Sequence, residues 1–382
     1  MCRRCRPGSG LPNALAMSVP RTLLLIEPDL RSFRGHMYRY ASALATAAPA
    51  FGLRLVVVCH EQVEPAIRAT LEQRGASVLA WYAGNIAWDM QCPEWRTLVG
   101  AGWRFARVAR RAARRFDAPL IVTLSGRLPL LLGAAFVARS SPYPSILQLI
   151  KAHYHVHGGN PIALTTASTA LRFAARLAVR CNVRFACLTD EMHSTIEHLL
   201  ACPAVRLPFL LDWPQDVPQC RRNSVPIGAI LGCDREEKGL EQLIEALRAG
   251  PVGCRWLIHQ SIDHERHKAL RAMMMRRGDI EFRVGRLSES EYQSVLQSSD
   301  FVVLPYDPSS YRSQASGILL EAVGYAAVPL VPVGTTMASI CKRDGIGVVY
   351  GPYTAASLRA AIVDLLQNLT THREAVRERS QC

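Results

Sequence analysis

Short, continuously apolar runs alternate along the chain with longer stretches in which apolar residues recur every three or four positions. Thr22–Ile26, Leu53–Cys59, Leu120–Thr123, Ile146–Ile150 and Arg184–Leu188 form one series of such runs. Ile227–Leu231, Arg255–His259, Ile280–Val284, Phe301–Leu304 and Val328–Val331 form a second. Most of them are apolar without the alternation of a half-solvated strand, so both series predict parallel strands covered on both faces. Helical periods lie between them, for example Met37, Tyr40, Ala41, Leu44 and Ala45. Repeated strand–helix units predict an α/β fold with a doubly wound sheet in each series.

The alternation breaks once. The segment "CPAVRLPFLLDWPQDVPQCRRNSVP" holds five prolines and no usable period, and reads as a linker. The chain therefore divides into an N-terminal tail at 1–19, a domain at 20–211, a linker at 212–226 and a second domain at 227–382. Each half is long enough for its own core, since a domain takes roughly 100–200 residues. Two Rossmann-like domains facing one another leave a central cleft lined by the C-terminal ends of both sheets, where open α/β sheets bind ligands.

Composition narrows the class. Apolar residues make up 49% of the chain and charged ones 20%, as in a globular protein rather than a disordered one. The net charge of +14, carried mostly by arginine, points to phosphates or an anionic membrane surface as partners. No zinc knuckle or interleaved aromatic–basic motif accompanies it, so nucleic acid is not expected. Many of the twelve cysteines sit inside apolar runs such as "LRLVVVCH" and "RFACLTD", which predicts buried free thiols and a reducing, cytoplasmic compartment. Cys2 and Cys5 form a lone CxxC in the tail, without the second pair that a zinc site needs. The longest uncharged apolar run, "LPLLLGAAFVA", falls short of the roughly 20 residues that span a bilayer. No apolar core of a signal peptide precedes "VPRTLLLIEP", so no cleaved signal is expected.

Candidate chemistry concentrates in the second half. In "YRSQASGILLEAVGYAAVPLVP" Ser316 is a good helix N-cap, and Gly317 leaves the first turn open to a ligand. Leu319, Ala322, Val323 and Ala326 form the apolar face, whereas Gly317 and Glu321, four apart, share another. Bare first-turn amides favour an anion, and a carboxylate one turn further in can accept from hydroxyls attached to that anion. Phosphate beside sugar hydroxyls describes a nucleotide. Upstream, "IGAILGCDREEKGLEQLIEAL" places Arg235 and Lys238 in a turn after a strand, where a fork and a point charge together suit a diphosphate. The same residues are equally compatible with an internally paired, solvated loop. Backbone groups around Arg283–Gly285 are candidates to meet a base edge.

The order "GCDREEKGL", "FRVGRLSESEYQSVLQSSDFVVLPY", "SGILLEAVGYAAVPLVP" resembles the donor half of retaining, family-four-like glycosyltransferases of the GT-B fold, over most of residues 225–365. In the first half, "EPDLRSFRGHMYRYASALATAA" is similar to their first strand, glycine loop and helix, with Gly35 and His36 at the acceptor-side loop. The resemblance implies that Arg235 and Lys238 meet the donor diphosphate, that Ser316 and Gly317 offer amides to it, and that Glu321 takes the ribose hydroxyls. Two positions depart from that pattern. Ser313 stands where many members carry a glutamate near the donor sugar, and Cys233 where many carry arginine. Ser313 leaves room for a bulkier or acidic sugar substituent.

"IKAHYHVHGG" sets His153, His155 and His157 on one face of an extended segment, without a carboxylate or thiol at ligand spacing. His153 is the candidate to touch the transferred sugar, and no metal is expected. "WRFARVARRAARRF" places Phe105, Val108, Ala109, Ala112 and Phe116 opposite Arg104, Arg107, Arg111 and Arg114. "LRFAARLAVRCNVRF" aligns Arg172, Arg176 and Arg180. Two basic helices in one half predict peripheral docking at the inner face of a membrane. The expected activity is transfer of a sugar from a nucleotide diphosphate sugar to a glycan or lipid-linked acceptor, with retention and without a divalent metal or other cofactor. The alternatives are a nucleotide-sugar epimerase of the same fold and a non-catalytic GT-B subunit of a polysaccharide assembly.

Overall fold

The computed structural model describes residues 21–33, 36–83, 95–117, 119–126, 133, 144–149, 175–177, 179, 183–200, 202–207, 223–233, 235–263 and 265–380. Its two strand series form two parallel sheets. The first contains β1 (Thr22–Glu27), β2 (Arg54–His60), β3 (Ser77–Tyr82), β4 (Pro119–Gly126), β5 (Ser145–Leu149), β6 (Val183–Cys187) and β7 (Ala204–Arg206), in the order β3-β2-β1-β4-β5-β6-β7. The second contains β8 (Ile227–Ile230), β9 (Arg255–Gln260), β10 (Ile280–Val284), β11 (Phe301–Val303), β12 (Val328–Pro332) and β13 (Val348–Tyr350), in the order β10-β9-β8-β11-β12-β13. Each order runs outward from a central strand and then reverses, which is the doubly wound pattern with its switch point between β1 and β4 or between β8 and β11.

Among the helices of the first half are α1 (His36–Ala47), α2 (Pro65–Gln73), α3 (Trp95–Ala113) and α4 (Asp190–Leu200). Those of the second are α5 (Leu240–Arg248), α6 (Glu265–Met274), α7 (Glu289–Ser298), α8 (Pro308–Tyr311), α9 (Gly317–Gly324), α10 (Thr336–Asp344), α11 (Ala355–Gln367) and α12 (Leu369–Ser380). Continuous burial of β1, all six residues of it, follows from helices on both faces. Leu24, Ile26, Val56 and Val58 join one core cluster, and Leu23, Leu25, Leu55 and Val57 the other. The second half has one large cluster, built on Trp256 against Phe301 edge-to-face and the strands around them.

Three strands fall outside the ten apolar runs. β3, β7 and β13 are edge strands, with exposed or half-buried positions; β7 and β13 are too short to show an apolar run, whereas β3 carries one, Val78–Tyr82, that the first series omits. β7 lies inside the proline-rich segment that reads as linker, and it pairs in parallel with β6. Residues 1–19 and most of 212–226 lie outside the described residues.

The chain segments leaving the C-terminal ends of the two sheets touch one another. Arg39 in α1, which follows β1, reaches Glu289 and Glu321. Glu64, after β2, pairs with Arg286, after β10. Thr189, after β6, donates its hydroxyl to the Ser313 carbonyl at 3.3 Å. Ala315 packs on the first half's core. The carboxyl edges of both sheets therefore face each other.

Candidate functional site

The site begins at the β8–β11 switch point. Gly232 turns the chain beyond β8 with φ +59°, and a Cβ there would stand 3.6 Å from Lys238 Nζ and 3.9 Å from Ile318 Cδ1. Backbone, ammonium and the start of α9 thus converge within one small volume. Lys238 ends a 3-10 turn, Glu236–Lys238, closed by Gly239 in the left-handed conformation. Gly239 packs so closely on Pro305 that an added Cβ would lie 1.9 Å from its carbonyl oxygen. The turn is therefore clamped between the ends of β8 and β11.

Two tyrosines beyond β11 hold the cations. Lys238 Nζ lies 5.2 Å from the centroid of the Tyr306 ring, within cation–π range. Arg235 Nη2 donates to the Tyr311 hydroxyl at 2.8 Å, and Nη1 pairs with Glu237 at 3.0 Å. The two rings pack with centroids 4.5 Å apart. Burial pushes the Tyr311 hydroxyl up to about 12, against the pull of Arg235, so it stays protonated and neutral. The internal pairing open to Arg235 in the sequence does form, with Glu237, while the tyrosine orients the rest of the fork.

α9 starts as its sequence requires. The Ser316 side-chain oxygen accepts from Leu319 N, leaving the amides of Gly317 and Ile318 without an acceptor inside the helix. Outside its own turn of helix, no atom of the described residues lies within 4 Å of where a Gly317 side chain would stand. Leu319, Ala322, Val323 and Ala326 are buried.

Glu321, one turn in, is already engaged. Tyr292 donates its hydroxyl to Glu321 Oε2, and Arg39 Nε lies 3.1 Å from Oε1. Arg39 Nη1 is 2.6 Å from Glu289 Oε1, and its guanidinium lies 5.8 Å from the Tyr292 ring centroid. A capping box fixes the start of α7, with Ser288 accepting from Glu291 N and Glu291 accepting from Ser288 N. That sets the direction of Glu289 and Tyr292. Burial raises the Glu321 carboxyl above its ordinary range, opposed by Arg39 and the Tyr292 hydrogen bond. Burial disfavours the charge on Arg39, but Glu321 and Glu289 outweigh it and raise its value.

The remaining sequence-derived residues fall in several places. Ser313 is only 7% exposed and sits where the halves meet, its carbonyl taken by Thr189; Arg312 beside it is exposed. Cys233 belongs to the core and its thiol donates to the His259 carbonyl at 3.1 Å, a buried position unsuited to a free arginine. Gly285 spends its N–H on Gln260 O and its carbonyl on His259 Nε2, so a base at this edge would have to use its neighbours. Gly35, His153, His155, His157, Arg172 and Arg180 lie outside the described residues, as does the side chain of His36, the first residue of α1. Among the described residues no group of three or more His, Cys, Asp or Glu side chains is placed to hold a metal.

On α3, Phe105, Ala109 and Ala112 are buried, while Arg104, Arg107 and Arg111, and Arg114 just past its end, are exposed. Trp103, 56% exposed, extends the basic row and carries Arg107 at 5.7 Å. Arg111 and Arg115 lie over Trp81 at 4.4 and 5.5 Å. No helix among the described residues is long and apolar enough to cross a membrane.

Arg39, Glu289, Tyr292, Tyr306, Tyr311 and Thr189 were not singled out by sequence. One signal was present. Arg39 has Gly35, His36, Ser42 and Ala43 at helical neighbour positions, and Glu321 has Gly317, Ile318, Gly324 and Tyr325. Neither charge has a partner on its own helix, so each must find one elsewhere.

No family model matches the chain, and no curated protein resembles it in sequence. Solved structures do resemble it in fold. Sucrose-phosphate synthase from Thermosynechococcus elongatus superposes with a TM-score of 0.70 at 16% identity, covering 94% of each chain. HepE from Anabaena, solved with UDP and glucose, gives 0.68 at 13% identity over 95% of this chain and 94% of that one. A glycosyltransferase from Rickettsia africae gives 0.67 at 13% identity over 94% and 93%. The chain has the GT-B fold of these structures, two Rossmann-like domains whose segments beyond the C-terminal ends of the strands face each other.

Proposed function

We propose that the protein is a glycosyltransferase that takes a sugar from a nucleotide diphosphate sugar, with retention of configuration, and gives it to a glycan or lipid-linked acceptor. The observation that carries this reading is the convergence of Lys238, Gly232 and the open first turn of α9 at the switch point of the second sheet. Arg235 stands close by on Tyr311. The fold neighbours add support, since HepE was solved with UDP-glucose and another neighbour, WaaG, is a glycosyltransferase involved in lipopolysaccharide biosynthesis.

As the bond from the sugar to the diphosphate breaks, negative charge accumulates on the departing phosphate oxygens. Lys238, Arg235 and the amides of Gly317 and Ile318 stabilise that charge without reorganising. Two cations and a helix terminus supply the role that a divalent metal fills elsewhere. Glu321 accepts from the ribose hydroxyls and sets the nucleotide's register. Ser313, lacking a carboxylate, favours an acidic or amide-bearing sugar over plain glucose or mannose. Closure of the halves keeps water from the activated donor. The basic face of α3, with Trp103 at its end, lies on an anionic membrane surface where a lipid-linked acceptor resides.

Incubation with UDP-, GDP- and ADP-sugars in EDTA, with and without glycan and lipid acceptors, tests the reading. Release of nucleoside diphosphate that Lys238→Ala abolishes is the expected result, and the anomeric configuration of the product, read by NMR, decides retention. An epimerised donor without acceptor would mark the epimerase, and tight nucleotide binding without turnover the non-catalytic subunit. Failure to bind any nucleotide overturns the proposal.

A further inference from the structure

We infer that Arg39, delivered by the first half, is a positioning residue of the ribose site: it orients Glu321 and neutralises it, so that recognition of the ribose hydroxyls depends on contact between the halves. This rests on the ribose role proposed for Glu321. Arg39 and Glu321 side chains are 15% and 14% exposed, so the pair is largely withdrawn from water, unlike a screened surface contact.

The geometry divides the carboxylate's capacity. Arg39 takes one lone pair of Oε1 and Tyr292 one of Oε2. An ionised carboxylate has about four acceptor directions, so each oxygen keeps one for a hydroxyl of a vicinal diol. Glu289 holds the other end of the guanidinium, and Tyr292 supports its face. The Glu321 carboxylate is thus gripped from both sides before any ligand arrives. Without Arg39, a buried carboxyl in this position has Tyr292 and the like charge of Glu289 for company, and it takes up a proton more readily.

A different role for the same contact makes the opposite prediction. If Arg39 blocked Glu321 as a latch that the nucleotide must displace, its removal would tighten binding. If it were only a strut between the halves, its removal would weaken every ligand alike.

The experiment is titration of the full-length protein with UDP, ADP and GDP, each beside its 2′,3′-dideoxy counterpart. Wild type is expected to prefer the best ribonucleotide over its dideoxy form by about tenfold or more, the scale of hydrogen bonds to a charged group. Arg39→Gln should collapse that ratio towards one while leaving the dideoxy affinity within about twofold, since the diphosphate contacts are untouched. Arg39→Lys, which keeps the charge but not the fork, should restore part of the ratio. A ratio unchanged in Arg39→Gln, a tightened ribonucleotide, or an equal loss for both ligands overturns the inference. Wild type that binds no nucleotide sinks the functional reading itself, whereas wild type that discriminates while the variant does so equally sinks only the role of Arg39.

Discussion

Gly239→Ala probes how the fold places Lys238. Gly239 holds φ +69°, and the missing Cβ would lie 1.9 Å from the Pro305 carbonyl oxygen and 2.9 Å from its carbon. An L-residue in the left-handed region costs about 1–2 kcal/mol, and forcing a methyl against fixed backbone adds about 1–3 kcal/mol. The sum is about 2–5 kcal/mol, which at roughly 2–4 °C per kcal/mol for a unit of this size lowers Tm by about 4–20 °C. Gly345→Ala is the matched control, because Gly345 has φ +66° and nothing within 4 Å; it should lose only the conformational part, about 1–2 kcal/mol. Thermal unfolding of both variants reads the difference, and nucleoside diphosphate titration reads the site. Relief of the contact must push the 3-10 turn away from β11, carrying Lys238 off Tyr306 and Gly232. Equal Tm losses for the two variants would refute the clash. A destabilised Gly239→Ala with wild-type diphosphate affinity would refute the claim that this turn positions Lys238.

Asp300, 1% exposed, accepts from Ile227 N at 2.7 Å and Asn223 Nδ2 at 2.8 Å and pairs with Arg373 at 2.8 Å. Asp300→Ala should therefore cost about 3–5 kcal/mol by urea denaturation, and a loss below about 1 kcal/mol would show the network to be dispensable. Burial raises the Glu321 carboxyl above its ordinary 4.5; the ionised form is the hydroxyl acceptor, so affinity is full above the raised value and falls as pH drops through it. The ribonucleotide-over-dideoxy preference should accordingly begin to fade on the neutral side of 4.5, and a preference constant down to pH 4 would contradict the ionised role. Co-sedimentation with anionic vesicles should be salt-sensitive and should weaken when Arg107, Arg111 and Arg114 become Gln, with equal binding to neutral vesicles as the refuting result.

The central strands were legible in the sequence because parallel strands covered on both faces leave uninterrupted apolar runs, as in Leu23–Ile26 and Val56–Val58. Of the edge strands, β7 and β13 were not, since three residues are too few to show such a run; β3 does carry one, Val78–Tyr82, although most of it is only half-buried and it lies outside the two series. Local rules also reached the start of α9: an N-cap at Ser316, an open Gly317 and an apolar face are decided within one helix turn. What surrounds that helix was beyond them. Arg39 and Glu321 are 282 positions apart in the chain, and neither has a partner at a neighbouring position of its own helix. Only the apposition of two sheet edges brings them within 3.1 Å. Side-chain type and spacing are local quantities, so they fix what each element is; a pair such as Tyr311 with Arg235, or Arg39 with Glu321, exists only once the core has packed and the halves have met.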